Sequence, residues 1–253
     1  MEQTLTRKGR LNANQLKLIA IIAMTIDHLT WAVFPGTQAV WYVFCLHIIG
    51  RLTAPIMWFF IAEGYHYTHD VKRYAARLFV FAAVSHFAYD FAFGIPFFAP
   101  SAGVFNRTSV MWSLAWAVVL IWVCHNEKIP KWGQILAIIG ICLISFPSDW
   151  SSIAVMCPFF LYVHRDKFGL QARSIVFWTF IYAAVYFLFL DRLYGALQMF
   201  TFLTIPLLRQ YNGERGQWKG MKWLFYIYYP AHLVLIGILR LLLWDNVGVM
   251  IGA

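Results

Sequence analysis

Charge is what this sequence has least of. Only 12% of its 253 residues are Asp, Glu, Lys or Arg, and 61% are hydrophobic. Soluble domains carry about 25% charged and about 45–50% apolar residues. A water-soluble fold of this length has no way to hide so much apolar surface. Linkers are also missing. No Ser-, Gly- or Pro-rich stretch, repeat or low-complexity tract divides the chain, so one domain over 1–253 is expected. Cysteine is scarce: Cys45, Cys124, Cys142 and Cys157 lie in apolar surroundings and form no CxxC pair. They read as small buried hydrophobes, not as disulfides or metal ligands, and no metal site is expected. The P-loop and the GxGxxG, GxSxG and HExxH motifs are absent as well. An enzyme built on this chain has its site inside the membrane.

What is present is a series of apolar runs. A helix crosses a bilayer with about 20 such residues. Runs at 15–34, 42–64, 74–97, 108–124, 132–147, 150–163, 174–190, 193–208 and 221–244 predict an all-α, polytopic membrane protein of about nine spans. The fifth and sixth are short and carry Pro147 and Pro158, so a hairpin entering and leaving by one face is the alternative there. The opening Thr6-Arg7-Lys8-Gly9-Arg10 looks like the n-region of a signal, but the run after it contains Asp27 and His28 and no cleavage site. It is expected to be a retained first helix.

The net charge of +9 falls in short clusters between the apolar runs. That pattern suits membrane topology and not nucleic acid, for which no module is visible. A cytoplasmic N-terminus places 16 of the 20 Lys and Arg in inner segments, as the positive-inside rule requires, and puts the C-terminus outside. Aromatic residues make up 19% of the chain, and tryptophans such as Trp31, Trp41, Trp112, Trp132, Trp150 and Trp223 cluster near expected helix ends, as an interfacial belt does.

Charge at mid-bilayer costs about 2.5–3.5 kcal/mol per residue on insertion scales and normally faces the bundle interior or a wet cavity. Asp27, His28, Arg51, Glu63, His86, Asp90 and His232 fall in this expensive zone, and Asp149 lies in the connection between the fifth and sixth runs. Counting residues from each helix start puts His28, Arg51, His86 and Asp90 in the outer half and His232 near the middle, so four helices offer ionisable groups at similar depth. Glu63 is near the cytoplasmic end. His86 and Asp90, four apart, share a helix face, and an Asp there can fix the His tautomer. Tyr228 and Tyr229 precede His232 by four and three residues, which allows a phenol to bond that imidazole. Asp27 and His28 point about 100° apart. Plainer readings stand beside these: Asp27 with Arg51 as a structural ion pair, His86 and His232 as satisfied interior histidines, and His66 with His69 as a wet surface pair.

Three blocks carry a family resemblance. Leu16-Lys17-Leu18-Ile19-Ala20-Ile21-Ile22-Ala23-Met24-Thr25-Ile26-Asp27-His28 resembles the opening motif of the TraX family. Gly50-Arg51-Leu52-Thr53-Ala54-Pro55, running to Glu63-Gly64-Tyr65-His66-Tyr67-Thr68, is similar to that family's second helix, and Val71-Lys72-Arg73-Tyr74-Ala75-Ala76-Arg77-Leu78 to its basic continuation. Tyr226-Ile227-Tyr228-Tyr229-Pro230-Ala231-His232-Leu233 resembles its last helix, while 99–215 matches in hydropathy alone.

The family includes the protein that acetylates the N-terminus of conjugative F-type pilin, and it is distantly similar to integral-membrane acyltransferases that use cytosolic acetyl-CoA. The resemblance implies an acetyl-CoA-dependent transferase in the bacterial inner membrane, among lipids, acting on a pilin-like peptide. An extracytoplasmic glycan is the alternative acceptor, and a non-enzymatic transporter or channel the alternative function. In the acyltransferases a functional His of the first helix falls on His28, as general base or acyl carrier. Arg51 would then stabilise an oxyanion and Asp27 orient a base or pair with Arg51, with His232, Asp90 and His86 as further catalytic candidates. Lys72, Arg73 and Arg77, together with Glu63 and Tyr229, form the expected cofactor-binding set, with Arg173 or Lys222 as helpers to the phosphates.

Overall fold

The computed structural model describes residues 9–96, 105–245 and 247–249, and leaves the Lys222 side chain outside the described set. Among the described residues the fold is all helical. It has no strand and only two isolated bridges, Leu11 with Tyr211 and Thr108 with Ser148.

Five segments are long and apolar enough to cross a membrane. They are α1 (Ala13–Val33), the consecutive pair α2 (Trp41–Gly50) and α3 (Thr53–Tyr67), α4 (Val71–Phe93), and, later in the chain, α8 (Phe168–Phe189) and α11 (Met221–Trp244). Between α4 and α8 run α5 (Val110–His125), α6 (Lys131–Ser145) and α7 (Ile153–Val163), apolar but shorter. At 15 and 11 residues, α6 and α7 reach only about 22 and 16 Å, against a hydrocarbon core of about 30 Å. The continuous helix expected over 193–208 is instead three short pieces: α9 (Arg192–Gln198), a 3-10 turn (Met199–Leu203) and α10 (Thr204–Arg209). Pro206, early in α10, has no N–H to continue a ladder, and its ring crowds the carbonyl four residues back.

The same chemistry breaks the second span. Pro55 sits in the first turn of α3, so its ring collides with an unbroken helix at the Arg51 carbonyl. The chain turns at Arg51 and Leu52, and the Arg51 side chain emerges from the break. Gly50 is required there, because a Cβ would overlap the Asp27 side chain of α1.

Helix ends are set by short polar signals. Asn12 and Gln15 form a reciprocal capping box at the start of α1. Asp70 caps α4 through the Arg73 N–H, and Asp191 caps α9 through the Tyr194 N–H. Gly94, with φ +73, closes α4 in the left-handed region. Buried Arg240, near the end of α11, donates to the carbonyls of Phe91, Asp245 and Val247 and so ties the end of α4 to the residues that follow α11. In the bundle α1 packs against α2, α3 and α11, while α4 packs against α11 and α5.

Candidate functional site

Two consecutive residues of α1 face different neighbours. Asp27 turns toward α2: its Oδ1 accepts from His47 Nδ1 at 2.8 Å and its Oδ2 from Arg51 Nη2. His47 and Arg51 are four apart and grip the carboxylate from one helix face. Arg51 also donates to Gln198 Oε1 at 3.1 Å and to the His47 carbonyl at 3.2 Å. Both terminal nitrogens keep an N–H unspent among the described residues. All four side chains are buried. The ion pair weighed from sequence is therefore present, and it lines a cavity.

His28 turns the other way, toward α11. Its Nδ1 lies 2.8 Å from His232 Nε2, with the two ring planes 6° apart. The second nitrogen of His232, Nδ1, is 2.9 Å from the Tyr228 carbonyl. A carbonyl only accepts, so His232 Nδ1 carries the hydrogen. With both rings neutral, His232 Nε2 is then the acceptor and His28 Nδ1 the donor. His28 is left with its lone pair on Nε2, which has no hydrogen-bond partner among the described residues. This fixed tautomer is what a general base needs. The Tyr228 phenol does not bond His232, contrary to the expectation from spacing. It stacks on that ring and shares a 2.7 Å hydrogen bond with Thr25 of α1. Phe93 of α4 meets His28 edge-on, with ring centroids 5.4 Å apart.

Asp27, His28 and Arg51 line an inner cavity of about 50 Å³, with Asp149, Trp150, Tyr194 and Tyr229 opposite. That volume holds a few waters or a small acyl group. Met57, Met111, Leu114 and Phe225 form a waist shared with a second, wider cavity of about 510 Å³. The wide cavity opens at the end of the bundle where α1 and α11 begin and α3 ends. Lys17, Arg77 and Arg215 line it, and none has a carboxylate within ion-pair distance among the described residues. Arg215 reaches it because the strand-like contact of Leu11 with Gln210 and Asn212 ties its loop to the head of α1. Tyr67, Tyr74, Tyr226 and Phe60 supply flat faces in the same space.

The structure thus brings together Asp27, His28, Arg51, His232 and Tyr229, and separates others from them. His86 and Asp90 do pair on α4, at 3.4 Å, but neither lines the cavity. Both feel the charge of Arg107, in the segment ahead of α5. Arg77 lines the wide cavity, whereas Lys72 and Arg73 are exposed outside it, Arg73 bound to Asp70. Glu63 lines the wide cavity with its carboxylate held by Arg165 at 2.9 Å, so it braces α3 against the α7–α8 connection. Exposed Arg173 lies away from both cavities, His66 and His69 are on the surface, and the Lys222 side chain lies outside the described residues. Sequence reading noted Asp149 without giving it a role, and did not single out His47, Gln198, Lys17 and Arg215. The spacing of His47 to Arg51 was a usable signal; Gln198 and Arg215 are placed by tertiary contacts alone.

No solved structure matches the chain. A curated relative, described as a probable fimbrial assembly protein FimC of serogroup H1 from Dichelobacter nodosus, is 28% identical over 246 residues, spanning 92% of this chain and 97% of that protein. The family profile described as TraX protein matches residues 12–240, which contain Asp27, His28, Arg51 and His232. The chain belongs to the TraX family.

Proposed function

We propose that this protein is a membrane-embedded acetyltransferase that moves an acetyl group from cytosolic acetyl-CoA to an acceptor at or across the bacterial inner membrane. The acceptor is the amino terminus of a pilin or a similar peptide. The observation that carries the reading is the adjacency of two cavities, a wide one with a cationic mouth and a small one lined by His28, which share Met57, Met111, Leu114 and Phe225 as walls. Acetyl-CoA has an anionic nucleotide end and a thin, neutral arm ending in the thioester. The wide cavity offers Lys17, Arg77 and Arg215 to phosphates and aromatic faces to a base. The waist is apolar and leads to the small inner cavity. With the N-terminus in the cytoplasm, as the distribution of Lys and Arg favours, the mouth faces the cytosol. The relative's role in fimbrial assembly, and the membership of the TraX family, support a pilin-like acceptor. On this reading α5 and the broken 193–208 segment add passes, and α6 with α7, each too short to span about 30 Å alone, form the hairpin that enters and leaves by one face.

The chemistry derives from the tautomer. His28 Nε2 takes a proton from the acceptor nitrogen as the new C–N bond forms. Charge that gathers on the carbonyl oxygen is met by the free Arg51 N–H groups. The C–S bond breaks and the sulfur leaves as thiolate, which recovers the proton from the His28 imidazolium. His232 is a positioning residue: it holds His28 Nδ1–H and strengthens that bond while the ring is charged. Asp27 and His47 orient Arg51. Incubating the purified protein in nanodiscs with labelled acetyl-CoA and a peptide with a free amino terminus tests this. Mass spectrometry is expected to find an acetylated peptide and free CoA; no transfer to any amine or hydroxyl acceptor refutes it.

A further inference from the structure

The α6–α7 connection is built with care for a loop. Asp149 N–H bonds the Thr108 carbonyl at 2.8 Å, and Arg107 N–H bonds that of Pro147 at 2.7 Å. Ser113 contacts the Ser148 hydroxyl and bonds the Ser151 carbonyl. Trp150 and Ser151 both adopt left-handed backbone angles, φ 61 and 47, which non-glycine residues avoid unless their surroundings compel it. The result is that Asp149 and Trp150 are turned into the inner cavity.

Asp149 is 8% exposed; the Trp150 N–H bonds its carboxylate, and its Oδ1 has no hydrogen-bond partner among the described residues. A buried carboxylate short of donors is costly, and with Asp149 on the wall of a cavity a small turn of its side chain would let a ligand supply one. Charge points to what that ligand is. The inner cavity holds two carboxylates, Asp27 and Asp149, against one cation, Arg51, whose charge Asp27 already meets. The wide cavity is the reverse: Lys17, Arg77 and Arg215 line it without an ion-pair partner among the described residues, and its Glu63 carboxylate is held by Arg165. The Arg51 guanidinium already lies over the rings of Trp150 and Tyr194, 5.8 Å from each centroid, and the rings of Trp58 and Tyr229 also line the inner space, where aromatic rings suit a cation.

We infer that Asp149 docks the ammonium group of the acceptor, so that the inner cavity selects a primary amine over a neutral hydroxyl. This rests on the acetyltransfer reading for the word acceptor; the cation site itself rests on the geometry. The amine sheds its first proton to the Asp149 carboxylate or to water before the attack described above.

The test is calorimetric binding of two isosteric probes to the full chain in nanodiscs: triglycine amide, and the same molecule with a hydroxyl in place of its amino group. Wild type is expected to bind the amine at least about tenfold more tightly. Asp149→Asn is expected to erase that preference and Asp149→Glu to keep part of it, both with unchanged affinity for acetyl-CoA as the check on folding. Equal binding of the two probes to wild type, or an undiminished preference in Asp149→Asn, overturns the inference. Preference for the amine without acetyl transfer keeps the cation site and removes the transferase; transfer without preference does the opposite.

Discussion

His28 Nδ1 and His232 Nε2 stand 2.8 Å apart across the contact between the first and last helices, and the Tyr228 carbonyl at the far side of His232 decides which nitrogen carries which hydrogen. Residues 204 positions apart in sequence therefore fix one tautomer. Replacing His232 by Ala removes the acceptor and lets the His28 ring turn or switch tautomer. Acetyl transfer is expected to fall by about 10²–10⁴-fold, the typical worth of a positioned general base, with the KM for acetyl-CoA little changed. His232→Gln, whose amide oxygen can accept from Nδ1–H, restores part of the rate. Steady-state kinetics of the three proteins check this; a wild-type rate in His232→Ala contradicts it.

The Asp27–Arg51 pair separates structure from chemistry. Breaking a buried pair by removing one partner costs about 3–5 kcal/mol, whereas replacing both with neutral groups is often tolerated. Arg51→Met alone is expected to lower thermal stability sharply. The double substitution Asp27→Asn with Arg51→Met is expected to recover most of the stability and none of the activity. Thermal unfolding in detergent beside the transfer assay gives both readings.

Gly50 tests the packing beneath that pair. A methyl group there overlaps Asp27, and overpacking a tight contact costs about 1–3 kcal/mol. Gly50→Ala is expected to lower the yield and melting temperature of folded protein. Gly140→Ala, where a Cβ meets nothing within 4 Å, leaves both unchanged.

How much of this was legible in the sequence differs by level. The apolar runs gave the helices, because 61% hydrophobic content with 12% charge leaves a membrane as the one fitting solvent. They did not give the break at Arg51, where Pro55 acts on the carbonyl four residues back, nor the three pieces of 193–208. Asp27, His28, Arg51 and His232 were visible as expensive charges and as parts of family blocks. His86 and Asp90 looked equally expensive, but depth along a helix says nothing of the face, and theirs turns away from the cavity. Lys17 and Arg215 were missed because the wall of the mouth is completed by a loop folded back onto the head of α1.

The cationic mouth gives a prediction in which neighbouring residues differ. Lys17→Ala, Arg77→Ala and Arg215→Ala are each expected to raise the KM for acetyl-CoA by up to about tenfold, equivalent to roughly 1.4 kcal/mol, with kcat little altered. Lys72→Ala and Arg73→Ala, on the exposed face, are expected to change it little.

Asp149 predicts a pH dependence. It lies in the connection outside the spanning helices, and burial pushes its carboxyl up to about 7, against the pull of the Arg51 guanidinium. Asp27 of α1 repels it, and the neutral phenols of Tyr89, Tyr182, Tyr186, Tyr194 and Tyr229 surround it. A raised carboxyl favours the fold when protonated. That contribution is complete below the unfolded value near 3.8 and is lost as pH rises to about 7. Between pH 4 and 8 wild type is therefore expected to lose stability relative to Asp149→Asn, which has nothing to ionise. Melting temperatures of both proteins across that range, without acceptor, measure the gap.

The most direct measurement is single-turnover transfer from labelled acetyl-CoA to a free peptide amine, made on wild type and on His28→Ala shown to bind acetyl-CoA equally. Wild type is expected to acetylate the peptide, and His28→Ala to lose at least about a hundredfold in rate. Equal rates in the two proteins contradict a cavity whose working base is His28.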